Sequence, residues 1–366
     1  LLALVLALGL LPTAAWAAEV KEISTPEQFA RMDADGNYIL TKNITVSTPY
    51  AKDFSGTFDG NGHTITLDIS SNGANYVGLF KKLAGGAAIK NVITTGFVTV
   101  DTTANNRNHV GGIAGSVNTY NGNIIIEKCW NKAQIEGGQA IGGILGSCSY
   151  TNGHGVTIKE CINTGKITSK ATKAGGIAGS VSDENTIQNC YNCAEIKADR
   201  DKGGIVGFAQ GKNNLVPKLK NCYTTGNIEV IGRNKNPKAT IDNCYVLISA
   251  TDKNANQLGD AFVPDTGNIN NGYPILSWQK TSGGGKPEPP KPSLSIQSSA
   301  GGTIWTKAGG TNQTLTVLSV KYNNMDDEKP EVTWKYPQSS NAACFTEDKE
   351  KGTLTVEAKN GGVVEV

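Results

Sequence analysis

The residues with most chemical reach in this chain are eight cysteines, three histidines and a few closely spaced acids. Five thiols close near-identical tetrapeptides: Ile126-Glu127-Lys128-Cys129, Ile158-Lys159-Glu160-Cys161, Ile187-Gln188-Asn189-Cys190, Leu219-Lys220-Asn221-Cys222 and Ile241-Asp242-Asn243-Cys244. A cysteine that returns in one phase of a repeat behaves as a small hydrophobe in a stack. Side chains in register point the same way, which makes the near-90° dihedral of a disulfide awkward to reach, so free buried thiols are expected. Cys148 takes the place held by Val117 and Val181 in neighbouring copies. Cys190-Tyr191-Asn192-Cys193 has the spacing of half a zinc site, but a structural zinc needs four ligands and no second pair stands near it. No metal and no cofactor is expected.

The other reactive groups also fail to assemble. His63, His109 and His154 sit in turn-like or loop-like settings without HxxxH or HExxH spacing, and are read as surface residues. Asp199-Arg200-Asp201 precedes a glycine block, where a lyase or hydrolase could place paired carboxylates; no second acid or base joins it, so it is read as a solvated corner. Asp59-Gly60-Asn61-Gly62 lacks the later bidentate glutamate of a calcium loop and is read as a turn. No catalytic residue is named. The ligand-binding candidates are Tyr120, Asn121, Tyr150 and Asn152, in equivalent loops of two consecutive copies. Aromatic faces beside amide donors suit a sugar ring, and binding residues concentrate on loops held by a rigid scaffold. The competing reading is a tyrosine packed over its own loop.

What must position these residues is a repeat. Gly111-Gly112-Ile113-Ala114-Gly115-Ser116 returns as Gly142-Gly143-Ile144-Leu145-Gly146-Ser147, Gly175-Gly176-Ile177-Ala178-Gly179-Ser180 and Gly203-Gly204-Ile205-Val206-Gly207. A cysteine block follows each, and Ile135, Ile167, Ile196 and Ile228 lie six residues beyond the first four cysteines. A period near thirty marks a solenoid, propeller or array. The isoleucine and cysteine of a block are three apart, so a bend must separate them if both point inward. The paired glycines are expected to supply positive φ and close backbone approach at a corner. Strand, corner, strand, corner describes one coil of a parallel β-helix. Asn75–Phe80 and Ile89–Val92 form a degenerate upstream copy, Val92 standing for the cysteine. Thr25-Pro26-Glu27-Gln28 predicts a short helix over 26–32 at the open end. Asn268–Trp278 is expected to cover the last coil.

At these blocks the chain resembles the GLUG motif of secreted bacterial proteins. Phe54–Ile65 resembles the segment that precedes that motif, and Gly272–Trp278 is similar to the way such regions close. The resemblance spans residues 20–280. It implies a right-handed parallel β-helix on the surface of a Gram-positive-type bacterium, beside adhesive modules, with no catalytic residues.

Composition agrees with an all-β chain: 44 glycines and only two methionines in 366 residues. A net charge of +2 gives no field for nucleic acid or an acidic membrane. Residues 1–17, an apolar run broken at Pro12 and ending Ala15-Trp16-Ala17, read as a signal peptide, too short to span a bilayer. The missing Met and basic leader place the true start upstream. Residues 18–280 form the β-helix, 281–292 a Gly/Pro linker, and 293–366 a truncated Ig-like β-sandwich, with strands at Leu294–Ile296, Leu315–Val317, Val332–Trp334 and Leu354–Val356. The expected protein is a secreted or cell-surface monomer and no enzyme: an adhesive or scaffold module for glycans or surface proteins of host or neighbouring cells. The alternative is a β-helix polysaccharide lyase or glycoside hydrolase, or an accessory region of a larger secreted enzyme.

Overall fold

The computed structural model describes residues 19–103, 107–148 and 154–280, and the backbone of four later strands, Ser293–Ser298, Leu315–Asn323, Ala343–Asp348 and Thr353–Ala358. The chain divides into two compact units, Leu1–Pro287 and Glu288–Val366. The expected signal peptide, the linker and the Val332–Trp334 strand lie outside the described residues.

In the first unit short strands follow one another around a coil, and each pairs in parallel with its equivalent one coil on. The first face stacks nine: Val20–Ile23, Asn37–Leu40, Thr57–Asp59, Ala88–Lys90, Ile124–Glu127, Val156–Lys159, Thr186–Gln188, Lys218–Lys220 and Thr240–Asp242. Its inward column is Tyr38, Phe58, Ile89, Ile126, Ile158, Ile187 and Leu219, all buried. Its outward column alternates charge. Asp59 pairs with Lys90 at 3.3 Å, Glu127 with Lys159 at 2.6 Å and Lys220 with Asp242 at 3.9 Å. Each such surface pair is worth only about 0.2–1 kcal/mol, yet a slipped register would set like charges side by side.

The bend expected between isoleucine and cysteine is present, one residue before the cysteine. Asn91, Lys128, Glu160, Asn189, Asn221 and Asn243 all hold φ between 50° and 55°. Asparagine is the non-glycine residue best suited to that conformation. Its amide is used again: Asn221 Nδ2 donates to Asn189 Oδ1 at 3.1 Å and Asn243 Nδ2 to Asn221 Oδ1 at 2.8 Å, down the corner. Val92, Cys129, Cys161, Cys190 and Cys222 then turn inward and are fully buried.

The paired glycines have a different use from the one expected. None of Gly111, Gly112, Gly142, Gly143, Gly175, Gly176, Gly203 or Gly204 has positive φ. Their missing Cβ is what counts. The third face (Tyr76–Val77, His109–Gly111, Ala140–Gly142, Lys173–Gly175, Lys202–Gly203) folds back on the fourth (Tyr50–Phe54, Phe80–Ala84, Ala114–Asn118, Leu145–Ser147, Ala178–Ser182, Val206–Gln210, Ile231–Lys235). A Cβ on Gly111 would strike Ala114 O and the backbone of Gly146; one on Gly115 would strike Val77 N; one on Gly176 would strike Gly204 O and the Asn192 side chain. Between these glycines Ile113, Ile144, Ile177 and Ile205 fill the interior.

The second face carries a buried amide ladder. Thr94 Oγ1 donates to Asn131 Oδ1 (2.8 Å), Asn131 Nδ2 to Asn163 Oδ1 (2.8 Å), Asn163 Nδ2 to Asn192 Oδ1 (2.7 Å) and Asn192 Nδ2 to Thr224 Oγ1 (3.3 Å). Each amide also donates to the main-chain carbonyl two residues on, at Ala133, Gly165 and Ala194. The ladder lies against Gly112, Gly143 and Gly176, which is why those positions have no room for a side chain.

The two ends differ. At the start, the helix Pro26–Ala30 has Thr25 as N-cap with a full capping box to Gln28, and it inserts Phe29 into a cluster with Tyr50, Phe58 and Phe80, ring centroids 5.6–6.0 Å apart. At the other end Ile241 is 48% exposed. The segment expected to cover that coil does so on one flank only, where Tyr273 OH donates to Ile248 O at 3.0 Å beside the buried Leu247, and it continues along that flank over earlier coils. Leu258, Phe262, Leu276 and Trp278 pack over Trp130, Ile162, Tyr191 and Tyr223, the outward residues after each cysteine. Trp278 Nε1 donates to Glu160 O at 3.2 Å, and Tyr191 OH to Gln279 Oε1 at 2.9 Å. Bulky aromatics on an otherwise exposed flank need this cover more than a single end coil does.

In the second unit the four described strands form one antiparallel sheet, in the order Ser293–Ser298, Leu315–Asn323, Thr353–Ala358, Ala343–Asp348.

Two substitutions test this account. Gly176→Ala should cost about 3 kcal/mol or more, because the obstacle is main chain, whereas Gly267→Ala, whose Cβ meets nothing nearer than 3.6 Å, should stay within about 0.5 kcal/mol. Asn163→Ala should cost about 2–3 kcal/mol by orphaning amides on both sides. Thermal denaturation followed by circular dichroism reads both.

Candidate functional site

The early coils and the later ones differ on the second face, and the difference makes a recess. Thr64–Asn72 and Ile93–Asp101 are unbroken nine-residue strands paired along their whole length. Beyond them the face splits into short pieces, Trp130–Asn131 with Gln134–Gly137, then Ile162–Asn163 with Ile167–Ser169. The long strands therefore overhang. Their ends, Ser70, Ser71, Asn72, Thr99 and Asp101, together with Lys170, line an open depression of about 430 Å³.

Its chemistry is hydrogen bonding. Lys170 Nζ is held by Glu136 Oε1 at 2.5 Å. The Thr103 backbone N–H donates to Asp101 Oδ1 at 2.9 Å; that bond, with the Thr103 hydroxyl and then the Lys170 charge, keeps the Asp101 carboxyl below its usual range. A general acid for glycoside cleavage needs a raised pKa. Asp101 is shifted the other way, toward the ionised form that accepts hydrogen bonds. Hydroxyls, an amide, one acceptor and one ammonium match a polyol.

The residues proposed from sequence are dispersed. Tyr120 is 71% exposed, on a turn in which its backbone N–H donates to Asn118 Oδ1 at 3.2 Å. Asn121 follows it at the loop tip. The Tyr120 ring does not pack over its own loop. Tyr150 and Asn152 lie outside the described residues, so the pairing of the two loops is not placed. His109 departs from expectation: it lies in a strand, half-buried, edge-on to Tyr76 at 5.5 Å with Nε2 3.3 Å from Gln139 Oε1, and burial lowers its pKa. Asp199 and Arg200 are exposed at the corner as expected, but Asp201, with φ 42°, is not solvated: its side chain is only 11% exposed and lies 3.7 Å from Arg233 Nη1. Asp59 closes its turn by accepting from Asn61 N at 2.8 Å and from Asn91 Nδ2 at 2.9 Å.

The thiols are free, as expected, wherever their side chains are described. Cys129, Cys161, Cys190 and Cys222 donate to carbonyls two residues back at 3.2–3.3 Å. Burial pushes the Cys129, Cys161 and Cys190 thiols well up, Cys148 to about 12 and Cys193 to about 11. Such thiols are inert toward nucleophilic chemistry. Among the described residues no three His, Cys, Asp or Glu side chains group so as to hold a metal ion.

Sequence reading missed the amide ladder and the recess. The ladder had a signal, since Asn131, Asn163, Asn192 and Thr224 each stand two residues after a cysteine. The recess had none, because it comes from unequal strand lengths in adjacent coils.

Strand topology thus defines an all-β repeat protein with long parallel sheets. No protein family and no curated protein matches the chain. Among solved structures it is similar to "a putative immunoglobulin A1 protease from Bacteroides ovatus", at 20% identity and a TM-score of 0.44, over 72% of this chain and 93% of that one. A likeness of that size assigns no activity.

The thiols make a pH prediction. The folded-state pKa values of Cys129, Cys148, Cys161, Cys190 and Cys193 lie above the unfolded value near 9, so their contribution to stability is complete below pH 9 and is lost as pH rises from there, for Cys148 toward about 12. The melting temperature should be flat between about pH 6 and 8.5 and fall above about pH 9. Cys148→Val should make that fall shallower.

Proposed function

We propose that this is a secreted or cell-surface, non-catalytic adhesive or scaffold protein of a Gram-positive-type bacterium, whose solenoid binds glycans or proteins of host or neighbouring cells. The observation that carries the reading is the polar recess at Ser70, Ser71, Asn72, Thr99, Asp101 and Lys170. It is a hydrogen-bonding surface on a rigid scaffold, with its carboxylate biased toward accepting. The exposed Tyr120 offers a second contact of the kind sugars use. Secretion is supported by the apolar run of residues 1–17 and its small-residue ending. The glycine blocks support the resemblance to GLUG-motif proteins and a right-handed coil, the hand that dominates parallel crossovers. The antiparallel sheet of the second unit supports an Ig-like domain.

The test is a neutral-glycan array probed with the chain, with Lys170→Gln and Tyr120→Ala variants and a release assay for reducing or unsaturated sugars. Binding should weaken about tenfold in Lys170→Gln, a loss of about 1.4 kcal/mol, with no sugar released. Released sugar would replace this reading with an enzyme.

A further inference from the structure

Near the late end of the solenoid two lysines lie over one ring and an arginine stands in register with it. Phe208, on the fourth face, is part-exposed, and Lys173 Nζ lies 4.1 Å from its centroid. Lys235 Nζ lies 5.9 Å from the same centroid. Arg233 is the register partner of Phe208 on the next strand. One carboxylate, Asp201, opposes them, 3.7 Å from Arg233 Nη1.

This arrangement opposes itself. Burial lowers the Lys173 pKa; Asp201 pulls against that, while Lys235 and Arg233 lower it further. Guarding an edge strand against pairing with another chain explains a charge on Ile231–Lys235. It does not explain why Lys173, two coils inward, reaches over the same ring. On the first face of this chain neighbouring charges alternate in sign and pair. Here three cations share one carboxylate, Asp201, and an anion placed among them would turn repulsion into attraction.

We propose that Lys173, Lys235 and Arg233 around Phe208 form a binding site for an acidic saccharide. An acidic sugar combines in one unit a carboxylate or sulfate for the cations and a C–H face for the ring edge. A free inorganic anion has no apolar face to place there. This rests on the glycan-binding reading above but uses a different site, so the two fail separately.

The test is binding of the chain to immobilised polygalacturonate and to dextran sulfate, with neutral dextran and polyglutamate as controls, comparing wild type with K173Q/K235Q. Lys218→Gln, an exposed cation on the first face, is the matched control, and a melting curve checks each fold. Wild type should bind one or both acidic glycans, more weakly as salt rises. The double variant should lose at least tenfold while Lys218→Gln loses less than twofold. The polygalacturonate and dextran sulfate arms tell carboxylate from sulfate recognition. Equal retention on polyglutamate, or a double variant that binds like wild type, would overturn the proposal. Loss of acidic binding alone, with the Lys170-dependent neutral binding intact, would support both readings. Binding to neutral glycans only would leave the adhesive reading standing and remove this one.

Discussion

The structure depends on one steric constraint: in each coil that carries a glycine pair, two stretches of main chain pass so close that no side chain fits between them. Gly111, Gly142, Gly175 and Gly203 lie under the backbone of the next coil, and Gly115, Gly146, Gly179 and Gly207 lie on that of the previous one. The second glycine of each pair abuts Asn131, Asn163, Asn192 or Thr224. Glycine in such positions costs conformational entropy. What offsets it is that parallel strands one coil apart, about 4.8 Å, satisfy their backbone groups in the ladder, and identical side chains stack into continuous columns.

The same register decides where reactive groups go. Amides that a lone coil would bury at a cost are satisfied in a ladder, each by the copy above and the copy below, with threonines closing both ends. Thiols fill the adjacent column as small apolar groups. Chemical capacity in the sequence is therefore largely spent on cohesion. The outward positions where the regularity fails are the overhanging strands around Asp101 and Lys170, the loop bearing Tyr120, and the cations around Phe208.

Regularity also fails differently at the two ends. A capped helix and an aromatic cluster close the first coil, where Phe29 is almost wholly buried. The last coil leaves Ile241 half exposed and sets charged residues on its edge strands, Arg233 and Lys235 on one and Asp242 on another. The returning segment spends its apolar residues on the flank, where Trp130, Tyr191 and Tyr223 form a tall stripe. Tyr191 and Tyr223 stack there at 4.9 Å with planes 4° apart. One coil spacing brings identical rings to stacking distance, so the repeat itself builds the stripe that then needs covering.

The repeat was legible without coordinates, because an isoleucine three residues before a cysteine states both the strand and the corner, and a thirty-residue return states the stacking. The capped helix at Pro26–Ala30 and the free thiols were legible for the same reason: each follows from residues close in sequence or equivalent by repeat. Asn163 beside Asn192 was equally present in the pattern, but its meaning needed the distance between coils. Tertiary structure alone decided the rest. It showed that the left-handed residue is Lys128 or Asn189 and not a glycine, that Trp278 returns to Trp130 along the flank, and that Lys173 meets Lys235 over Phe208. Those outcomes depend on how far one coil overhangs the next and which way a long side chain leans. A periodic sequence fixes the repeat but not its irregularities, and in this protein the candidate binding sites lie at the irregularities.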